Sequence, residues 1–342
     1  MSVVVLLTQA GVVAGSVLAT LPVGEQLRQG VAEVSRSGNR MTILQRSASA
    51  KYDWTAFSVG AGHHVEIQQP SPEAFIVHRV VGDSLPSRID GTLNANGRVY
   101  LLNPNGILIG RTARIDAAGL VAAAMMTDEM TSPAPPVNLA RDQYGRVTNE
   151  GVIRIRQGGV LTLAGAGEVA QGGVVWARRG TVGIGQGTHA TLDEQGTLAS
   201  VNDYGLVKIQ DAVRASGVTE VPGGRVEIKT GASTPVVLGP LWTAALSIDR
   251  PLSLRFSIED KRYDGTNAAR AESESATGID LSGSNVKLLT RYRFDTPAAG
   301  RGKPVTAEAE LTGFRRKGGG TASLRIETPA GRPGRGTILS PE

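Results

Sequence analysis

Between Val31 and Gly239, short β-prone runs closed by Gly or Asn recur, as in VAEVSRSGN, MTILQRS, HHVEIQQP, GTLNANGRVYLLNPNGILIG and ARIDAAGLVAAA. Farther on, VTNEGVIRIRQGGVLTL and VRASGVTEVPGGRVEI share one frame, V-x-x-x-G-V-x-x-I/V followed after one or two residues by G-G-x-L/V-x-L/I. A unit of roughly 20 residues that returns in this way marks a solenoid, in which each coil adds short strands to continuous sheets. No coil hides its own apolar face. Val152, Ile153 and Ile155 therefore need coils above and below to cover them. The pairs Gly158-Gly159, Gly172-Gly173 and Gly223-Gly224 suit corners taken with positive φ. The expected fold is all-β, a right-handed parallel β-helix over about residues 25–245. An antiparallel sandwich is the competing arrangement, but its hairpins favour stricter alternation and Asn-Gly turns.

Composition agrees with many short strands and tight turns. Glycine supplies 44 of 342 residues and aromatic residues only 4%, so the interior is built from Val, Leu, Ile and Ala. Cysteine is absent, which removes disulfides and thiolate metal sites, and four scattered histidines make no metal cage. No cofactor is expected. The first twenty residues are apolar and uncharged and end in Val17-Leu18-Ala19, which reads as a signal peptide over 1–19 without the usual basic start. No later apolar run is long enough to span a bilayer, so stable membrane insertion is not expected. The net charge of +5 comes from the segment after Arg250, with charges dispersed as on a solvated face, and no nucleic-acid partner is expected.

The Pro-rich stretch Thr131 to Asn138 cannot continue a ladder and reads as an excursion. The coil frame stops between Pro235 and Pro251. The expected organisation is a signal peptide over 1–19, a β-helix domain over 20–247, a small β-rich domain over 248–328 and a flexible Gly/Pro/Arg-rich tail over 329–342.

Several motifs occur in a telling order: Leu21 to Gly24, Gly38 to Ile43, Trp54 to Gly60 with Phe57 inside it, Val65 to Pro70, His78-Arg79-Val80, Pro86 to Gly91, and Asn94 to Gly97 with Asn96. They culminate in Asn103-Pro104-Asn105-Gly106-Ile107, followed by Gly110, Ala113 and Gly119 to Ala122. In this order they resemble the two-partner secretion domain of filamentous-haemagglutinin-type exoproteins, over roughly residues 20–240. The resemblance implies a secreted or surface-bound adhesin of a Gram-negative cell. It also implies a dedicated outer-membrane β-barrel partner with POTRA domains, which recognises the chain in the periplasm, and a host glycan or protein receptor outside. Asn103 to Ile107 would form the secretion motif, supported by Trp54, Phe57, Gly60, Arg79, Asn94, Asn96 and Gly97. For Asn103 and Asn105 two readings stay open: contact with the transporter, or folding of the turn that starts the helix. Lys261 to Thr266, with Tyr263, Asp264 and Gly265, then Gly300 to Val305 and Leu311 to Gly313, resemble a YDG domain.

An enzyme is the rival class, since parallel β-helices include polysaccharide lyases and hydrolases, which need clustered acids or a metal. No such cluster is legible. Asp90, Asp116 and Asp193 are isolated, and Glu259 and Asp260, being adjacent on a strand, face opposite ways. A haem-binding exoprotein of the same secretion family is a further alternative. Adjacent His63 and His64 would also point to opposite faces, one packed and one solvated, which suits haem poorly.

Overall fold

In the computed structural model, which describes residues 21–82, 84–202, 213–230, 235–315, 321–327 and 334–340, every regular element is a β-strand. The expected signal peptide lies outside the described residues. Successive coils form three faces. On the first, His64–Gln68, Thr92–Ala95, Arg114–Ala117, Val152–Ile155 and Val174–Ala177 pair in parallel, each with the next coil. On the second, Phe75–Val80, Arg98–Leu102, Gly119–Ala124, Val160–Gly165 and Thr181–Gln186 do the same. Ser87–Ile89, Ile107–Ile109, Val147–Asn149, Val169–Gln171, Val213–Ala215 and Val236–Leu238 make the third. The longer strands Arg40–Trp54, Val218–Thr230 and Leu241–Ile258 each serve the first two faces across their shared corner. The expected parallel β-helix is the fold of the chain.

The period of two along a strand sends alternate side chains inward, and parallel pairing stacks them in register. Met41, Val65, Leu93, Ile115, Ile153 and Val175 form one such column on the first face. Ala50, Ile76, Val99, Leu120, Leu161, Val182, Val226 and Leu246 form another on the second. Each is buried in one continuous core, and each large side chain so covered contributes about 1.5–3 kcal/mol. Val152 departs from expectation. It pairs one step out of phase with Ile153, so it faces outward and is only half-buried. The glycine corners differ in cause as well: Gly158 and Gly223 have φ of 80° and 69°. Gly173 instead lets backbones approach, because a Cβ there would sit 2.1 Å from the carbonyl oxygen of Gly151.

The second face is buried on both sides. Two excursions lie over it, one between Ala124 and Val147 that contains the Pro-rich stretch, the other after Gln186. Their strands Asn138–Ala140, His189–Leu192 and Leu198–Asn202 form a small antiparallel sheet. Outward-facing Phe75, Val77, Tyr100 and Val121 pack under it with Leu139, Ala190 and Leu198.

The 247/248 division read from composition falls inside the unbroken strand Leu241–Ile258, which ends its pairing with Val218–Thr230 at Asp249, pairs in parallel with Thr321–Glu327 and pairs antiparallel with Ala271–Thr277. Ile279–Asp280 still extends the third face. A five-stranded sheet closes this end, and its strand Gly334–Leu339 corrects the expected flexible tail. Ile338 is buried there with Ile258 and Phe294, and Gly336 leaves room for those two side chains.

Candidate functional site

Asn103 to Gly106 connects the second and third faces of the coil that begins at Thr92. The Gly106 N–H donates to the Asn103 carbonyl at 3.0 Å, closing a β-turn, and Gly106 has φ of 123°, outside the reach of most side chains. The Asn103 side-chain oxygen accepts the Asn105 backbone N–H at 3.0 Å and its Nδ2 at 3.2 Å, an Asx turn inside the β-turn. Nδ2 of Asn103 donates to the Leu85 carbonyl and the Ser87 hydroxyl, both at 3.0 Å, on the coil before. Asn103 is 1% exposed. The two asparagines therefore differ: Asn103 is an internal staple, whereas Asn105 is half-buried at the rim. There it lines an open groove of about 330 Å³ with Val80, Val81, Ser84, Pro104 and Gln143. Ile107 is buried on the third face.

The other motif residues organise the coil beneath. Asp53, nearly buried, receives Arg79 through two bonds of 2.7 and 3.0 Å and Arg28 at 2.6 Å. Burial pushes its carboxyl up, but the two guanidinium groups outweigh that and hold it below the usual carboxylate range. Arg79 also donates to the Thr127 carbonyl at 2.8 Å. One carboxylate thus ties together the N-terminal strand Gln26–Ser37, two coils and the first excursion. Fully buried Lys51 adds a bond to the Glu129 carbonyl, and burial lowers its pKa.

Behind them, Trp54 and Phe57 are buried against His78, with ring centroids 5.6 and 4.7 Å from the imidazole. His78 stands in the interior column between Tyr52 and Leu101. Trp54 Nε1 donates to its Nδ1 at 3.0 Å, which places the imidazole hydrogen on Nε2, and that atom has no hydrogen-bond partner among the described residues. Burial drives the pKa of His78 down to about 3. Asn96 exchanges two 2.6 Å bonds with the Gln69 backbone, and the Gly97 N–H donates to the Gln69 side chain at 2.9 Å. Asn94 reaches Glu66 at 3.3 Å on the outer surface, away from this cluster. The Gly60 carbonyl accepts the His63 N–H at a corner.

Sequence reasoning missed Asp53, Lys51, Gln69 and His78 as organisers. The clue was polar residues at buried positions of otherwise β-branched runs. His63 precedes its strand and His64 opens it, and both are half-buried, so the expected packed and solvated pair is not formed. Far from this region, Lys261 donates to Asp264 at 2.7 Å and to the Thr266 carbonyl at 2.8 Å, and Gly265 has φ of 77°. The Lys261 bond, followed by the Thr266 N–H and hydroxyl, lowers the Asp264 pKa to about 2. Tyr263 is exposed. Among the described residues no group of three His, Asp or Glu side chains could hold a metal.

A family model described as the TPS secretion domain matches residues 20–237. A Heme/hemopexin-binding protein of Haemophilus influenzae strain Rd is 30% identical over 231 residues, 61% of this chain and 25% of that protein. Another Heme/hemopexin-binding protein of Haemophilus influenzae is 37% identical over 117 residues, 34% of this chain and 12% of that protein. The chain thus spans a quarter or less of these relatives. The crystal structure of the HMW1 secretion domain from Haemophilus influenzae superposes with a TM-score of 0.50 at 19% identity, covering 72% of this chain and 77% of that one. That likeness concerns the fold alone.

Proposed function

Because the chain belongs to the TPS secretion-domain family, we propose that its N-terminal coils are the export signal read by an outer-membrane β-barrel partner with POTRA domains. Exoproteins of this family are non-catalytic and leave Gram-negative cells by way of the periplasm, to be released or held at the surface. The observation that carries the proposal is the wiring of the Asn103–Gly106 turn. Its bonds lie within four residues and need no other part of the coil, so the turn can present Pro104 and Asn105 to the partner before the coils stack. The bonds from Asn103 to Leu85 and Ser87 form only when the coils stack, and so couple the signal to folding outside.

For the delivered exoprotein, the two Heme/hemopexin-binding relatives favour capture of haem or of a haem-carrying protein over adhesion. The likeness of the Lys261–Thr266 turn to a YDG element is a further proposal, carried by its lysine-to-aspartate wiring. Two measurements test the function. Deleting the partner transporter should leave the chain in the periplasm, and export without it contradicts the proposal. Titration of the purified chain with haemin and with haemopexin should show saturable binding of one of them, and binding of neither returns the adhesin reading.

A further inference from the structure

We infer that the outer surface of the first face around Trp176 is a binding site for an anionic polysaccharide, independent of the export signal and of any haem ligand. Along this face the outward row begins with polar residues in register, Thr42, Glu66, Asn94 and Asp116. It continues with Arg154, Trp176 and Glu220. Beside it Val152, Val174 and Val218 form a second outward row, and an open groove of about 550 Å³ runs between them. Trp176 and Val174 are 40% and 41% exposed. An indole lying on a flat sheet offers a platform for the apolar face of a sugar ring, with polar groups at its edge.

Arginines outnumber acids around this platform, with Asp116 and Glu220 in the same row. Arg156 is held by Asp116 at 3.8 Å. Arg114, Arg154, Arg178 and Arg179 are exposed, and none forms an ion pair with a carboxylate among the described residues. Arg179 carries a second, independent mark. The Gly158 N–H donates to the Arg178 carbonyl and the Arg179 N–H to the Pro222 carbonyl, so Gly158, Arg179 and Gly223 occupy equivalent corners of successive coils. All three have positive φ, and Arg179, at 53°, is the sole non-glycine residue with positive φ among the described residues. Its neighbours show that glycine suits the corner, yet here the strained backbone carries a guanidinium.

Unpaired arginines beside an indole complement a ligand with negative charge and flat sugar rings. Asp116 and Glu220, set among the arginines in the same row, suit a chain with many hydroxyls and spaced acids better than a dense phosphodiester. Coils recur about every 4.7–4.9 Å, so a linear polymer lying along the helix axis crosses Arg154, Trp176 and Glu220 in turn.

The test uses the purified chain and a fluorescently labelled heparin oligosaccharide, with neutral dextran and a single-stranded oligodeoxynucleotide as comparisons. Heparin should bind, more weakly as salt rises, and in preference to both comparisons. Arg179→Gly should unfold at the same temperature or higher while weakening heparin binding, and together with Arg154→Ala the loss should be roughly tenfold. Trp176→Ala should weaken binding with the circular dichroism unchanged. No heparin binding, equal binding of dextran, tighter binding of the oligodeoxynucleotide, or wild-type affinity in the double variant would overturn the assignment.

Discussion

The coils between Arg40 and Ile109 and those between Val147 and Leu238 use the same hydrogen-bond ladder and fill it differently. In the later coils the inward columns are aliphatic, Ile153 on Val175, Leu161 on Val182 and Leu163 on Ile184, with Asn149 and Gln171 as a bonded polar pair at one corner. In the earlier coils His78 stands inside, Lys51 and Asp53 are buried on the outer side, and Gln45, Gln69 and Asn103 wire the corners. The difference is one of specification. Aliphatic columns of similar coils tolerate more than one pairing, whereas directional bonds to named partners admit a single register. Directional bonds specify the register of the earlier coils, and matched apolar columns dominate the later ones.

The largest effect should come from Asp53→Ala. It leaves Arg79, whose side chain is 16% exposed, without its carboxylate, and breaking such a pair from one side costs about 3–5 kcal/mol. Equilibrium unfolding in denaturant reads this directly, and a loss no larger than that of an exposed pair such as Arg111 with Glu150, about 0–1 kcal/mol, would erase the contrast between the regions. In the later coils, Ile153→Ala should cost about 2–5 kcal/mol and Ile153→Val only about 0.5–1.5 kcal/mol. A loss that follows the volume removed marks burial without specific bonding.

The acid response sharpens the same contrast. The folded-state pKa of His78 lies at about 3, below its ordinary value of 6.5, so the neutral ring is favoured by folding. Its contribution is complete above pH 6.5 and is lost as pH falls toward 3, by about 1.4 kcal/mol per pH unit. Stability measured between pH 7 and 4 should slope accordingly in the wild type and flatten in His78→Leu. An equal slope in both would move the acid sensitivity elsewhere.

The ladder was legible because a period of two within strands and a repeat between coils write themselves into composition. The corner glycines and the Pro-rich excursion were legible for the same local reasons. His78 was not, since FIVHRV reads as an ordinary strand and only its register between Tyr52 and Leu101 places the imidazole inside. The outward side of Val152 and the strand Gly334–Leu339 depend on partners far along the chain, which no local pattern contains. Within Asn103–Ile107, proposed as the secretion motif, the sequence could not divide the roles of the two asparagines. Asn103 and Asn105 are equivalent as turn formers, and only burial separates them.

That division is tested most directly by following Asn105→Ala in cells that carry the transporter, comparing periplasm with culture supernatant while the purified variant is unfolded in denaturant. Removing the Asn105 side chain should cost about 0.5–1.5 kcal/mol of stability. Asn103→Ala, which strands buried partners, should cost about 1–3 kcal/mol. The account predicts a folded Asn105→Ala protein that stays in the periplasm. Normal secretion of that variant, or retention only in step with lost stability, would contradict the reading of Asn105 as the residue the transporter meets.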